Sequence, residues 1–294
     1  MIIVDFNQTA ISSFMAEVRG RSDVEVNVPL LRHMILNQLR GYKSRFGAEF
    51  GDMVIACDNR HYWRRKVFPN YKYSRRKVRD DSGFDWGSIF EALNSIRNEI
   101  DEFLPYPVID VHGAEADDVI GALAEYSQTN DMTDHPMFAE PQPVLIISGD
   151  HDFNQLQKWS NVKQYSPVKK KFITITESAD AVLMEHIITG DKGDGVPNMF
   201  SDDDCFVTGK RQKPIRKVLL EEWKKMRPEE FVTGDTAAGY VRNKQLVDLS
   251  MIPEDIKEEV VKSYQGQLNK DKSQLLNYFI KYKLKGMIDV AEDF

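Results

Sequence analysis

Acidic residues in this 294-residue sequence stand where apolar runs stop. Asp5 falls in "IIVDF", Asp58 closes "DMVIACD" and Asp150 closes "VLIISGD", with Asp152 two residues on. Glu115, Asp117 and Asp118 stand together in "EADD", just after the run "PVIDV", and Asp191 and Asp194 follow in "TGDKGDGVPN". Each acid by itself reads as a helix cap or a surface charge, and Asp150 reads as the start of a helix over "FNQLQKW". Gathered together they repel, since two carboxylates about 5 Å apart cost roughly 3 kcal/mol at an effective dielectric of about 20. Something positive must sit among them. An all-oxygen donor set selects a hard cation, Mg²⁺ or Mn²⁺. Two such ions about 4 Å apart would clamp the attacking and leaving oxygens of a phosphodiester. The six histidines are scattered without a spacing such as H-E-x-x-H, and Cys57 and Cys205 are too few for a zinc cluster or a disulfide framework, so zinc chemistry is not expected.

For these acids to meet, the runs that carry them must be neighbouring strands. "IIVDF" (2–6), "DMVIACD" (52–58), "PVIDV" (107–111) and "VLIISGD" (144–150) show little polar alternation, which is the pattern of strands buried on both faces. Between them apolar residues recur at helical spacing: Leu30, Leu31, Met34, Ile35 and Leu39 in one segment, Ile89, Phe90, Leu93, Ile96 and Ile100 in another. "AEADDVIGALAEY" predicts a third helix with acids in its first turn. The alternation predicts an α/β fold with a mainly parallel central sheet flanked by helices. In such sheets a ligand lies outside the carboxyl ends of the strands. From about residue 178 helices such as "PIRKVLLEEWKKM" take over, dividing the chain into an α/β domain, 1–177, and a smaller helical region, 178–294. Residues 127–143, with Pro136, Pro141 and Pro143, read as a surface loop.

The net charge of −7 argues against a polyanion as partner for the chain as a whole. Residues 58–79, "DNRHYWRRKVFPNYKYSRRKVR", hold nine Lys or Arg against one acid, so a polyanion would be held locally. Arg60, Arg65, Lys66, Arg75, Arg76, Lys77 and Arg79 are candidate phosphate contacts. Tyr62, Trp63, Phe68, Tyr71 and Tyr73 are candidate faces for bases to stack on. With few aliphatic residues to bury, the island is expected to be mobile until nucleic acid binds. Arg64 and Lys72, eight residues apart, would share a helix face and point together toward the acids. No run approaches the length of a membrane span, and the N-terminus lacks the basic flank of a signal peptide, so a cytoplasmic chain without membrane contact is expected.

Taken in order, "VDF" at Asp5, "ACDNRHYWRRKVFPNYKYSRR" at 56–76, "EADD" at 115–118, "SGDHDFNQL" at 148–156 and "TGDKGDGVPN" at 189–198 resemble the motifs of the flap endonuclease family of 5′ nucleases, most closely its branch of ribonucleases H from T-even-type phages. The resemblance spans nearly the whole chain. It implies a PIN-like 5′-nuclease fold with a helical arch over about residues 60–85. The implied activity is that of a metal-dependent 5′ to 3′ exonuclease and flap endonuclease, acting on RNA/DNA and DNA/DNA duplexes and removing RNA primers in lagging-strand replication. First-metal carboxylates would fall on Asp5, Asp58, Glu115, Asp117 and Asp150, with Asp118 beside them, and the second-metal group on Asp152, Asp191 and Asp194. Arg64 and Lys72 match the basic residues that meet the scissile phosphate, and Tyr71 falls among the nucleic-acid contacts.

Two Mg²⁺ ions, replaceable by Mn²⁺, are the implied cofactor. The implied partner of a monomeric enzyme is a branched or nicked duplex, or an RNA/DNA hybrid, with a 5′ end or flap. A single-strand-binding protein and a sliding clamp are protein partners that the resemblance raises without deciding, and a phage-encoded chain would work in the host cytoplasm. The family usually continues after "GDKGDGVPN" with a compact helix-hairpin-helix. Here "MFSDDDCFVTGKRQKP" (199–214) intervenes, with three consecutive acids unsuited to gripping phosphate, although Lys210, Arg211 and Lys213 restore part of the charge. Two other readings stay open. A haloacid-dehalogenase-type phosphatase also places D-x-D after a strand, though its motif falls early in the chain and wants Thr or Val where Asn154 stands. A non-catalytic DNA-junction binder would keep the fold and arch without cutting.

Overall fold

Alternate residues of each central strand enter different hydrophobic layers, which is why the strands read as unbroken apolar runs. Ile2, Val4, Ile55, Leu145 and Ile147 face one layer; Ile3, Val54, Ala56, Val144 and Ile146 face the other. The computed structural model describes residues 1–18, 25–129 and 141–294, the side chains of Arg76, Lys77 and Thr129 excepted. Strands β1 (Ile2–Asp5), β2 (Met53–Ala56), β3 (Val108–Ile109), β4 (Val144–Ile147), β5 (Val162–Ser166) and β6 (Lys171–Ile173) form one sheet in the order β3-β2-β1-β4-β5-β6. All pairs are parallel except β5 with β6. The chain builds outward from β1 through β2 to β3, then returns to place β4 on the other side of β1. That reversal puts the crevice beyond the carboxyl ends of β1, β2 and β4. The four expected strands are present; β5 and β6 were not anticipated from the sequence.

Helices α1 (Phe6–Val18), α2 (Val28–Phe50) and α5 (Trp86–Phe103) cover the first face, and α6 (Ala116–Thr129) with α11 (Glu254–Gln265) covers the second. Between them lie α3 (Arg64–Val67) and α4 (Tyr73–Asp80), which build the basic island. The helical region contributes α7 (Ala179–Thr189), α8 (Lys217–Trp223), α9 (Pro228–Phe231), α10 (Gly234–Val247), α12 (Leu275–Lys281) and α13 (Lys285–Ile288). Several starts follow from capping chemistry: the side chain of Asn27 accepts from Leu30 N at 3.1 Å, that of Asp85 from Ser88 N at 3.2 Å, and that of Ser178 from Ala181 N at 3.2 Å. Among the described residues no helix is long and apolar enough to cross a membrane. Most of the proposed 127–143 loop lies outside the described residues.

The last third of the chain divides its packing. Residues of α7 and α10, with Phe68 and Tyr71 of the island, form a third cluster. Downstream, Leu249, Ile252, Ile256 and Val260 seal the second face of the sheet, while Leu275, Tyr278, Phe279 and Phe294 seal the first. A buried ion pair fastens the tail there. Arg32 holds Glu99 through two bonds of 2.6 and 2.8 Å, and Tyr278 donates to the same carboxylate at 2.9 Å. Removing one partner would leave a buried charge uncompensated, at a cost of about 3–5 kcal/mol.

The island departs from expectation in two ways. Trp63, Phe68 and Tyr71 are buried, so these aromatic rings anchor residues 63–71 to the rest of the fold instead of offering faces for bases. Arg64 and Lys72 do not share a helix face either. Helix α3 stops at Val67, and Lys72 has φ +58, a left-handed turn immediately before α4.

Candidate metal centre and its basic arch

Asp5 ends β1 at the centre of the sheet. Its two carboxylate oxygens accept from Gln8 N at 3.0 Å and Ser148 Oγ at 3.1 Å. Burial, with Asp58 and Asp150 close by, pushes its carboxyl up to about 7. Asp58 follows β2 and accepts from Ala116 N, at the first turn of α6, at 2.8 Å, and from the side-chain amide of Asn7. Asp150 follows β4 and accepts from Asp152 N at 3.1 Å, capping a 3-10 turn over residues 151–158. The bland capping role and a place at the crevice therefore coexist in one side chain.

The acids that open α6 face different ways. Asp117 is driven well above its ordinary range by burial, against the pull of Lys72 and with the push of Asp150 and Asp152. Glu115, 1 % exposed, bonds to Lys72 Nζ through Oε1 and to Arg64 Nη1 at 3.0 Å through Oε2. Asp118 is fully buried and turned inward: Oδ1 meets Arg64 Nη1 at 2.8 Å and Trp63 Nε1 at 3.2 Å, and Oδ2 accepts from Glu115 N at 2.8 Å. Its expected place among the metal ligands is thus corrected, because it is fully buried and its charge is already paired with the Arg64 guanidinium. Adjacent residues on a helix point about 100° apart, which separates Asp117 from Asp118.

Arg64 needs the same correction. It is 2 % exposed, pairs with Glu115 and Asp118, and donates from Nε to Leu246 O at 2.8 Å, so it holds the acids from behind rather than meeting a phosphate. Tyr71 is likewise no stacking surface; it is buried and donates to Asp194 Oδ2 at 2.8 Å. Lys72 does sit among the acids, bonded to Glu115 and 3.5 Å from Asp194. Burial opposes its charge, yet Asp194, Glu115 and Asp117 hold its amine protonated. Arg75, half exposed, also pairs with Asp194. Asp194 therefore tethers the arch through Tyr71, Lys72 and Arg75. Arg60, Arg65 and Lys66 are exposed on the outer side, and Arg79 lies partly exposed over the Phe90 ring at 5.5 Å. The side chains of Arg76 and Lys77 fall outside the described residues.

One member of the site was not expected from sequence. His186, on α7, lies between two acids, with Nδ1 3.4 Å from Asp152 Oδ1 and Nε2 3.4 Å from Asp191 Oδ2. The three side chains can bring one donor atom each within 4.8 Å of one another. Burial raises the Asp152 carboxyl to about 7 despite His186, helped by Asp150, Asp191 and Asp194. Burial pushes Asp191 up as well, but the hydrogen bonds from His186 and from Asp194 N outweigh it and hold the carboxyl at about 2. For His186 burial disfavours the imidazolium, and the bond to Asp191 with the field of Asp152 more than offsets this, so its pKa is raised. No ligand spacing in the sequence marked this residue, because Asp152 comes from a distant segment, although Asp191 follows only five residues on, just past the end of α7.

Behind the acids, the end of α10 ties these segments together. Asn243, fully buried, donates to Ile187 O and Pro197 O at 2.8 and 2.9 Å, bracketing the loop that carries Asp191 and Asp194. Arg242 donates to Pro197 O at 2.7 Å and Asn198 O at 3.1 Å and pairs with Asp203, so that acid of the 199–214 segment serves as an internal tie. Gly239 permits the approach, since a Cβ there would lie 2.0 Å from Met199 O. Gln155 donates to Asp152 O at 2.8 Å and Val247 O at 2.9 Å, and accepts from Leu249 N at 2.9 Å.

The donor set fits hard divalent cations: strand-end and helix-start carboxylates from separate segments, some held protonated near neutrality by burial and one another, with Asp152 Oδ1 buried and without a hydrogen-bond donor. A family described as "5'-3' exonuclease, N-terminal resolvase-like domain" matches residues 1–187, and one described as "T4 RNase H, C terminal" matches 177–294. The chain is 30% identical over 301 residues to the ribonuclease H of Enterobacteria phage T4, covering 99% of this chain and 95% of that protein. Its fold matches the T5 5′-exonuclease with bound divalent ions (zinc) at a TM-score of 0.58 and 15% identity, over 92% of this chain and 99% of that one. A bacteriophage T5 flap endonuclease in a pseudo-enzyme–product complex with DNA and metal ions gives a TM-score of 0.58 and 16% identity, over 91% and 98%.

Proposed function

The chain belongs to the 5′-3′ exonuclease family, and from that premise we propose that the crevice beyond β1, β2 and β4 hydrolyses phosphodiesters at the 5′ ends of nucleic acid. The activity is that of a 5′ to 3′ exonuclease and flap endonuclease. The observation that carries the reading is the convergence of Asp5, Asp58 and Asp150 at neighbouring strand ends, faced by Asp117 and crossed by a basic arch. Two Mg²⁺ ions held by these acids and by Asp152 would stabilise the charge that develops on the attacking and leaving oxygens.

The chain's own residues prepare that reaction. Arg64 and the end of α10 fix the acids from behind, so that they need not reorganise when substrate arrives. Lys72 keeps the crowded carboxylates partly neutralised and lies where a scissile phosphate would enter. Arg60, Arg65, Lys66 and Arg79 supply the outward charge that draws in a phosphate backbone. The proposed substrates are RNA/DNA and DNA/DNA duplexes with a 5′ end or flap, and the proposed task is removal of RNA primers with adjoining DNA during lagging-strand replication.

A 5′-labelled flap duplex, incubated with and without Mg²⁺, tests the proposal beside the Asp150→Asn protein. Cleavage that needs Mg²⁺ and disappears in the variant is expected. Cleavage that persists in chelator, or a small phosphomonoester turned over faster than DNA, would refute it and favour a phosphatase.

A further inference from the structure

His186 has one nitrogen engaged and one directed at an oxygen that no donor reaches. Its Nε2 is 3.4 Å from Asp191 Oδ2, an acid whose other oxygen accepts from Asp194 N at 2.9 Å. With the ring proton on Nε2 toward Asp191, Nδ1 carries a lone pair toward Asp152 Oδ1, 3.4 Å away. That oxygen is buried and has no hydrogen-bond donor. Two lone-pair atoms facing one another in a buried place need a proton or a metal cation between them; 3.4 Å is long for a hydrogen bond and matches the spacing of about 3 to 3.5 Å between two donors bound to one small metal ion. A carboxylate that fixes the ring through its far nitrogen is the usual companion of a ligating histidine.

We propose that His186 Nδ1 and Asp152 Oδ1 are ligands of one divalent cation, with Asp191 orienting the ring, so that this site takes Mn²⁺ in preference to Mg²⁺. The preference follows from the nitrogen donor: imidazole binds transition ions well, whereas Mg²⁺ favours oxygen. The supports are rigid. Gln155 bonds the Asp152 carbonyl, and Asn243 brackets the loop that begins with Asp191, so the two ligands and the orienting acid are spaced by α10 and the residues after it. Asp5, Asp58 and Asp150 offer oxygen alone, which makes the two halves of the crevice chemically unlike. The inference rests on the reading of the crevice as a metal centre.

Calorimetric titration of the full chain with Mn²⁺ and with Mg²⁺, in the absence of DNA, is paired with pulsed electron paramagnetic resonance of the Mn²⁺-loaded protein. The expected result is a hyperfine coupling from a directly bound imidazole nitrogen. In His186→Gln that coupling should vanish, and Mn²⁺ affinity at one site should fall at least about tenfold while Mg²⁺ affinity changes little. Where His186→Gln is poorly folded, the coupling in the unaltered protein decides. Bound Mn²⁺ without a nitrogen coupling, or equal losses for the two ions, overturns the assignment while leaving the nuclease reading intact. Failure of the unaltered chain to bind Mn²⁺ at all overturns both.

Discussion

Asp5 and Asp152 are raised from an ordinary 3.8 to about 7, chiefly by burial. Without divalent cations, a carboxyl that holds its proton more tightly when folded contributes stability below about pH 4 and loses it as pH rises toward 7. His186, raised in the fold, acts in the same sense as pH climbs above its ordinary 6.5. The Met1 amine, lowered by burial to about 6, acts oppositely between about pH 6 and 8, and Asp191, held at about 2, works below this window. Urea unfolding in chelator should therefore show stability falling from pH 4.5 to 6, with a shallower fall in Asp5→Asn; the same slope in that variant would refute the assignment. Asp58→Asn and Asp150→Asn should abolish cleavage while leaving flap binding within a fewfold, because they remove charge needed in the transition state rather than a backbone contact. Equal losses of binding and cleavage, measured on one labelled flap, would count against them.

The arch joins residues of opposite kinds. At its base Lys72 lies among the acids, whereas Arg79 sits outward on α4. Lys72→Ala should lower the single-turnover rate at saturating enzyme by more than it weakens binding, since a cation beside the scissile phosphate gains strength as charge develops. Arg79→Ala should cut at the normal rate once saturated and reduce the salt slope of binding by roughly 0.7 to 0.9. A normal saturated rate for Lys72→Ala would make that residue a mere contact. Behind the arch, Arg64→Met would leave Glu115 and Asp118 buried without their shared guanidinium, and a loss of about 3–5 kcal/mol is expected in chemical unfolding. A loss below about 1 kcal/mol would show that the carboxylates find other partners.

At the scale of the molecule, what was legible in the sequence is what burial on two faces imposes. Runs such as "VLII" could be read as central strands, and acids just beyond them as residents of one crevice, because neighbouring parallel strands end at one edge. Three things were not legible. Strands β5, "VKQYS", and β6, "KFI", carry charged or polar residues, and β6 is a short, largely exposed edge strand, so neither shows an unbroken apolar run. The aromatic residues of the island have the composition of a stacking surface, and only tertiary packing decides that Trp63, Phe68 and Tyr71 turn inward. His186 has Asp191 five residues on, but it acquires its role from Asp152, which only the fold brings to it.

The tail that seals both faces of the sheet bears on how the chain may be cut. Residues 1–187 coincide with one recognised family region, yet Val260 and Tyr264 lie against one layer and Tyr278, Phe279 and Phe294 against the other. A fragment ending at residue 187 would therefore keep its strands and still expose apolar surface on both sides. It should bind a hydrophobic dye, keep its far-ultraviolet dichroism and lose its sharp thermal transition, as a loosely packed globule does. The region that carries most of the motifs is, on this packing, not a unit that can stand by itself.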